Sequence, residues 1–494
     1  MAITDGGEAQ ALALLTSGEA GAMLAVAYAP RAVHSWTVHS VHHRPGAGVT
    51  VGYQVVVTAE VGYAAGANPG ASMGTAARGL PKVPTGAAVR SGASNNFAGG
   101  AGPSAAATAT ATEEKYVCAS TAQLSRPDLP FLKHMTHGGL QVTLWEYPYD
   151  PELPALAVAC SPRKMSELLG KRVGVELKSY RPTRRAVVRV VDEAGKGAFA
   201  KVLKPPAAGS LAKRHHMLTA AGVPAPRVLA ENDQGLVLIS QLAGEPLANA
   251  LGRGLLGQAR AVLDSLEATL DALPDSVMQL SRRAAWSDRV EHYAHAAATA
   301  LPQIRSRAEA VAHGVRQILS TVPAGPLQPV HGDFYEANIF LRNIPETTAP
   351  ASPNTTSTRP QGRIQEGTRG RVQGGRLEAG IIDVDSLGPG YRVDDWACLL
   401  GHMSVLPHLA PASYPHIRHD LESFCRMLEY RVSPPALYAR CAGVTLSLVA
   451  GAARVDGTPW EEDALGRLTE AENWLRRAQS FLGPVDPRQP RKLR

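Results

Sequence analysis

Apolar and polar residues alternate along the chain from Ser35 to about Thr58, as SWTVHSVHH and then VTVGYQVVVT, with HRPGAG between them. A period of two broken by a Pro- and Gly-bearing turn predicts a β-hairpin. From residue 62 to 112 the text is Ala, Gly, Ser and Thr with little to bury, which predicts disorder because ordering entropy has nothing to offset it. Strand-like runs return at residues 115–120 (KYVCAS) and 142–149 (VTLWEYPY).

Between residues 173 and 242 the pattern predicts strand (VELKSY), turn (RPTRR), strand (AVVRVV), strand (AFAKVL), helix (SLAKRHHMLTAA), strand (PRVLA) and strand (LVLIS). Beyond Gly244 the apolar residues fall at helical spacing, as in LLGQARAVLDSLEATLDAL and SRAEAVAHGVRQIL, so this part is expected to be mainly α. Pro, Thr, Gly and Arg at residues 344–376 read as a flexible insertion between two short strands. The segment HRPGAGVTVGYQVVV also echoes YRPTRRAVVRVV, each a strand, an Arg-Pro turn and a strand. Two tandem β units, or two hairpins with similar turns, both fit.

At 494 residues the chain is long enough for more than one domain. We expect residues 1–30 to be an N-terminal segment of undefined structure, 31–150 a small β region interrupted by the Ala/Gly-rich tract, 151–243 a β lobe, 244–482 a helical lobe and 483–494 a basic tail. The formal charge of +7 lies largely in low-complexity and terminal sequence; without interleaved aromatics it predicts no nucleic-acid partner. Five widely spaced cysteines with no Cys-x-x-Cys pair argue against a disulfide framework or zinc site and for a reduced, cytoplasmic protein. The N-terminus lacks the basic-then-apolar order of a secretory signal, and no uninterrupted apolar stretch reads as long enough to cross a bilayer, so no membrane partner is expected.

Candidate chemistry concentrates in PVHGDFYEANIF, where His331, Asp333 and Asn338 have the spacing His-x-Asp-x-x-x-x-Asn. Phosphoryl transfer needs a carboxylate facing the attacking hydroxyl and an amide oxygen holding the metal that neutralises phosphate charge. Downstream, EAGIIDVDSLGPG puts Asp383 at the end of an apolar strand as a natural second magnesium ligand. Asp385, two residues on in an extended segment, points to the same side and touches metal or substrate, or is structural.

These segments resemble the aminoglycoside phosphotransferase and choline kinase superfamily, which has the protein-kinase-like fold. The resemblance continues to GYRVDDWACLLGHM and back to AFAKVLKP, GVPAPRVL and LISQLAGEPL, covering about residues 141–482. It implies a two-lobed α+β fold, with a small antiparallel β lobe and a mainly α large lobe, preceded here by the extra β region. By resemblance Asp333 is the catalytic base or hydroxyl-orienting acid and His331 braces its loop. Asn338 and Asp383 ligate magnesium, Lys201 holds the α and β phosphates of ATP, and Asp395 braces the loop from a buried helix. Adenine is expected against the connector at Ser240, Gln241 and Leu242.

Two features depart from the family pattern. No Asp or Glu lies between Lys201 and Glu231, so the helix carboxylate that pairs with the strand lysine is missing. The turn over the phosphates is YRPTRR rather than Gly-rich, so Arg184 or Arg185 takes the place of backbone amides at the phosphate, or the turn is simply exposed and basic. The expected activity is ATP- and Mg-dependent transfer of the γ-phosphoryl group to a hydroxyl of a small molecule; the alternative is a catalytically silent nucleotide- or metabolite-binding sensor. Asp264, Glu267, Asp271, Asp288 and Glu291, on the helices expected to recognise the acceptor, line a cationic-substrate pocket or face water.

Overall fold

A computed structural model describes residues 5–44, 48–59, 111–345, 375–453 and 459–482. The tip of the first hairpin, nearly all of the Ala/Gly-rich tract, most of the insertion after Ile344 and the basic tail lie outside the described residues. The chain forms two compact units: Met1–Lys213 with Arg227–Gln241 and Ala453–Trp460, and Arg214–Pro226 with Leu242–Ala452 and Glu461–Arg494.

The first unit contains two five-stranded antiparallel sheets. Sheet one is built from β1 (Val33–Arg44), β2 (Gly48–Thr58), β3 (Thr112–Ser120), β4 (Lys133–His137) and β5 (Leu140–Glu146), in the order β1-β2-β3-β5-β4. Sheet two uses β6 (Val173–Arg181), β7 (Arg185–Asp192), β8 (Gly197–Leu203), β9 (Val228–Glu231) and β10 (Leu236–Ser240), in the order β6-β7-β8-β10-β9. Both sheets therefore share one strand order. The hairpin register repeats as well, Arg44 facing Gly48 as Arg181 faces Arg185.

Two pairs in from the Arg181 turn, Ser179, Val187, Lys201, Val237 and Glu231 form one row across sheet two. The same count from Arg44 gives His42, Thr50, Ser120, Thr143 and His134 across sheet one. Ser120 thus stands at the position of Lys201, and its hydroxyl is hydrogen-bonded to that of Thr50 at 2.7 Å. The echo between the two Arg-Pro segments is a repeat of sheet topology.

Residues 5–28, undefined from sequence, fold as helices α1 (Asp5–Thr16) and α2 (Glu19–Tyr28). They cover one face of sheet one, where Leu15, Met23 and Leu24 meet Val51, Tyr53 and Leu144. The opposite face, bearing Tyr116, Cys118 and Trp145, packs on Ala186, Val188, Ala200, Val202 and Leu238 of sheet two, so the two sheets share one core. Between them lie α3 (Leu156–Ala159) and α4 (Pro162–Leu169). Ser161 caps α4 by accepting the Lys164 amide at 3.3 Å, Pro162 opens it, and Gly170 at φ 62° ends it. The other face of sheet two meets the start of α5 (Pro205–Ala220) through Ala208 and Ala212.

The second unit is mainly helical: α6 (Leu247–Arg253), α7 (Ala259–Asp271), α8 (Val290–Ala300), α9 (Arg305–Leu319), α10 (Arg392–Leu409), α11 (Ile417–Leu428), α12 (Pro434–Val449) and α13 (Glu461–Ser480). Short strands β11 (Glu245–Pro246), β12 (Leu327–Val330), β13 (Ile339–Pro345), β14 (Gly375–Ile381) and β15 (Gly388–Tyr391) pair as β11-β13-β14 and β12-β15. The expected α+β class, with an antiparallel β part and a mainly α part, is the one found. One sequence expectation is corrected: residues Pro434–Ala452 form a helix long and apolar enough to cross a bilayer, but 72% of that window is buried within the protein. Its apolar character serves the helical core, where Leu437, Cys441 and Leu446 are fully enclosed.

Candidate active site

The loop between β12 and β13 is held from below by one buried acid. Both carboxylate oxygens of Asp395, on α10, accept backbone amides, from His331 at 2.9 Å and Gly332 at 2.8 Å. Gly332 adopts φ 79°, and a Cβ there would stand 2.7 Å from the Ser386 carbonyl oxygen, so only glycine fits. His331 is fully buried; Nδ1 accepts the Asp333 amide at 3.3 Å, which leaves Nε2 to donate to the Ile382 carbonyl at 2.9 Å. Phe334 fills the space between His331 and Trp396, with ring centroids 5.9 and 5.8 Å away.

Asn338 donates its side-chain amide to the Asp333 carbonyl at 3.0 Å, which turns its oxygen the other way. Its own carbonyl accepts the Ile382 amide at 2.9 Å, joining this loop to the segment that carries Asp383. Asp333, Asn338 and Asp383 are therefore assembled around one loop-strand junction. Asp383 lies in the left-handed region at φ 61°, ψ 47°, which Asp tolerates better than most residues.

The extended geometry expected from Asp383 to Asp385 is not found. Val384–Ser386 forms a short 3₁₀ turn, so the two carboxylates do not share a side by strand alternation. Apolar Val384 takes the buried position in that turn.

Burial dominates the titration of the site. Asp395 is pushed up to about 7 by burial, against the lowering effect of its two amide donors. Glu336, inside the loop, is also pushed up to about 7 by burial, and its Oε2 has no partner among the described residues. The Tyr335 phenol is raised by burial and by the nearby charges of Asp333 and Asp383. It stacks on His402 with centroids 4.3 Å apart, and burial lowers His402 to about 4. Glu336 carried no recognisable signal in the sequence.

The remaining expected site residues belong to the first unit, except Leu242. Lys201 lies half-buried on β8, paired across to Val187 and Val237, on the same face as Phe199 and Leu203. Lys204 instead binds Glu152 at 2.6 Å, and Glu152 also accepts from Ser125. Arg184 is exposed in its turn, where its amide donates to the Arg181 carbonyl at 3.0 Å. That turn is braced by Asp150, which sequence reasoning passed over: it accepts the Thr183 amide at 2.8 Å and the Tyr180 hydroxyl at 2.7 Å. Ser240 and Gln241 donate their amides to the carbonyls of Arg227 at 2.9 Å and Gly197 at 3.3 Å.

The five acids left open by the sequence are all engaged. Asp264 and Glu267 pair with Arg431 at 2.6 and 3.1 Å, Asp271 with Arg392 at 3.2 Å, and Glu291 with Arg316. Asp288 lies 3.8 Å from Arg282 and caps the Ala285 amide at 3.0 Å. Beside the loop from His331 to Asn338 stand two basic side chains, exposed Arg283 and half-buried Arg214. Arg283 reaches the Ser386 hydroxyl at 2.5 Å, and Arg214 donates to the Leu387 carbonyl at 3.0 Å. Buried Arg440 is paired with Asp394 at 2.7 Å.

Residues 182–348 match the phosphotransferase enzyme family. The matching segment holds Lys201, Asp333 and Asn338 and ends before Asp383; the resemblance to the aminoglycoside phosphotransferase and choline kinase superfamily stands on it. No curated protein matches the chain. Among solved structures, a putative fructosamine-3-kinase from Thermobifida fusca is 18% identical, with 64% of this chain and 99% of that one covered at a TM-score of 0.34. An aminoglycoside phosphotransferase from Streptomyces rimosus, in complex with ADP and streptomycin, is 17% identical over 53% and 90% of the two chains at 0.34. A choline/ethanolamine kinase family protein from Mesorhizobium loti is 14% identical over 66% and 94% at 0.37.

Proposed function

We propose that this chain is an ATP-dependent phosphotransferase whose acceptor is a hydroxyl of a small molecule. The observation that carries the reading is the convergence of Asp333, Asn338 and Asp383 on one junction, fixed through His331 and Asp395. The donor set suits magnesium, a hard cation that takes oxygen ligands and is commonly held by one or two protein groups plus phosphates. The Asn338 oxygen and the Asp383 carboxylate would hold it, and it would neutralise charge on the transferring phosphate.

In the reaction the acceptor oxygen bonds to the γ-phosphorus while the bond from phosphorus to the bridging oxygen of ADP breaks. Asp333 orients the hydroxyl and takes its proton. Lys201 is the residue proposed for the α and β phosphates, with Lys204 already committed to Glu152. Arg184 stands in the turn where glycine amides would otherwise meet phosphate. A silent nucleotide-binding sensor is the second reading, favoured by the absence of any acid on α5.

The test is magnesium-dependent ATP turnover by the purified protein with pooled hydroxyl metabolites, alongside Asp333→Ala and Asp383→Asn. Turnover lost in both variants upholds the enzyme. Nucleotide binding without turnover in any pool favours the sensor, and no nucleotide binding removes both readings.

A further inference from the structure

We propose that the acceptor is itself an anion, with a carboxylate or phosphate group seated beside the catalytic loop between Arg282, Arg283 and Ser287. This rests on the phosphotransferase reading and names the substrate class of the same site. Three independent observations lead to it.

The first is charge. Arg282, Arg283 and Arg440 line a cavity of about 30 Å³ that reaches Gly332, the residue before Asp333, and Ser386. Asp394, the one carboxylate on its wall, pairs with Arg440 at 2.7 Å, and Asp288 lies 3.8 Å from Arg282, so the charge that counts most is Arg283, whose bonds go to the neutral Ser386 hydroxyl and Asp385 carbonyl. Arg214, bonded to the Leu387 carbonyl, feels the Asp385 carboxylate first and the like charge of Arg283 second, so it adds little positive charge beyond what Asp385 offsets. A guanidinium whose bonds go to neutral groups can take an anion by charge-assisted hydrogen bonds.

The second is an unused hydroxyl. Ser287 lines the cavity, is 5% exposed, and its Oγ has no hydrogen-bond partner among the described residues. Buried hydroxyls are normally paired, so a ligand oxygen is a fitting partner. The cavity volume holds about two waters, the scale of a small polar group.

The third is that the five helix acids that could have received a polycation are already engaged. Asp264, Glu267, Asp271, Asp288 and Glu291 are each within 4 Å of an arginine. An aminoglycoside or quaternary amine that used these acids would have to displace their pairs. An anion meets guanidinium groups that can grip it by two parallel hydrogen bonds.

The experiment gives the full chain, with ATP and magnesium, three sets of acceptors: anions, with hydroxy acids and sugar phosphates as separate arms; neutral sugars and polyols; and aminoglycosides with quaternary amino alcohols. Turnover is expected in one anionic arm, with KM at least tenfold below that of its neutral analogue, and the responding arm identifies carboxylate or phosphate. Arg283→Ala should shrink that ratio below threefold, Arg283→Lys should retain part of it, and Ser287→Ala should raise KM for the anion. Turnover confined to neutral or cationic acceptors overturns the proposal, as does a ratio unchanged in Arg283→Ala.

A second measurement uses inorganic phosphate as probe, without nucleotide. Calorimetry should show binding that the Arg282→Ala/Arg283→Ala double variant weakens at least tenfold; no binding, or equal binding, overturns the proposal. Failure of the phosphotransferase reading looks different: no ATP turnover in any set, while phosphate binding keeps its dependence on the two arginines.

Discussion

The Gly332 amide donates to Oδ1 of the fully buried Asp395 at 2.8 Å across 63 residues of sequence. Together with the His331 amide on Oδ2, this bond lets α10 set the position of the loop. Asp395→Ala would leave a buried amide and a partly buried one unsatisfied, each costing roughly 1–3 kcal/mol. We expect about 3–5 kcal/mol of lost stability, read from urea unfolding at pH 7.

The same acid carries a pH signature. Its folded pKa is raised from 3.8 to about 7, so the folded state binds this proton more tightly than the unfolded one. The stabilisation is fully present below pH ~3.8 and is lost as pH rises through 7, worth about 4 kcal/mol at most. Asp395→Asn cannot titrate, so the stability of the natural protein relative to this variant should fall between pH 4 and 7. A difference that stays flat across that range would refute it.

Asp383 combines a charge with left-handed backbone, and two substitutions separate these roles. Asp383→Asn should keep the fold, since Asn tolerates this region, yet lose magnesium-dependent turnover by about a hundredfold or more, the scale of removing one group that stabilises transition-state charge. Asp383→Ala should lose the same activity and about 1 kcal/mol of stability besides. Comparison of turnover with thermal unfolding checks the split.

Lys201 and Lys204 lie three residues apart but have different surroundings. Lys201→Ala should raise KM for ATP tenfold or more with little change in unfolding. Lys204→Ala should leave ATP kinetics near normal and cost about 1 kcal/mol, because Lys204 is half-exposed while the Glu152 carboxylate it neutralises is 5% exposed. The reverse pattern would transfer the nucleotide role to Lys204.

Arg440 and Asp394 form a pair whose side chains are 8% and 15% exposed. Arg440→Ala strands a buried charge and should destabilise by about 3–5 kcal/mol. Replacing both by apolar residues of similar volume should recover most of that loss, which denaturation of the single and double variants would show.

The strands of sheet two and the loop from His331 to Asn338 were legible because both rest on local rules: period-two alternation, turn residues and short fixed spacing. α1 and α2 escaped because Ala-rich text with one interrupting acid gives little amphipathic contrast; their stability comes from Val51, Tyr53 and Leu144 across the interface. Asp150 and Glu152 escaped for a related reason. Each brings its carboxylate to partners dozens of residues away, Tyr180 and Thr183 for one and Lys204 for the other, and no spacing rule records such a meeting. Asp385 misled because a strand was expected to continue where the backbone turns at Asp383.

The shared core of the two sheets sets a limit on how this chain can be cut. The family match begins at residue 182, immediately after β6 ends, and a fragment cut there discards an edge strand of sheet two. A fragment beginning at residue 151 keeps that strand but loses Tyr116, Cys118 and Trp145, uncovering Ala186, Val188, Ala200 and Val202. Each Val so uncovered forfeits about 1.5–3 kcal/mol, and together they leave an adhesive apolar plane. β3 and β5 are the roof of the lysine-bearing sheet: trimmed to its recognisable part, this protein would be insoluble before it was inactive.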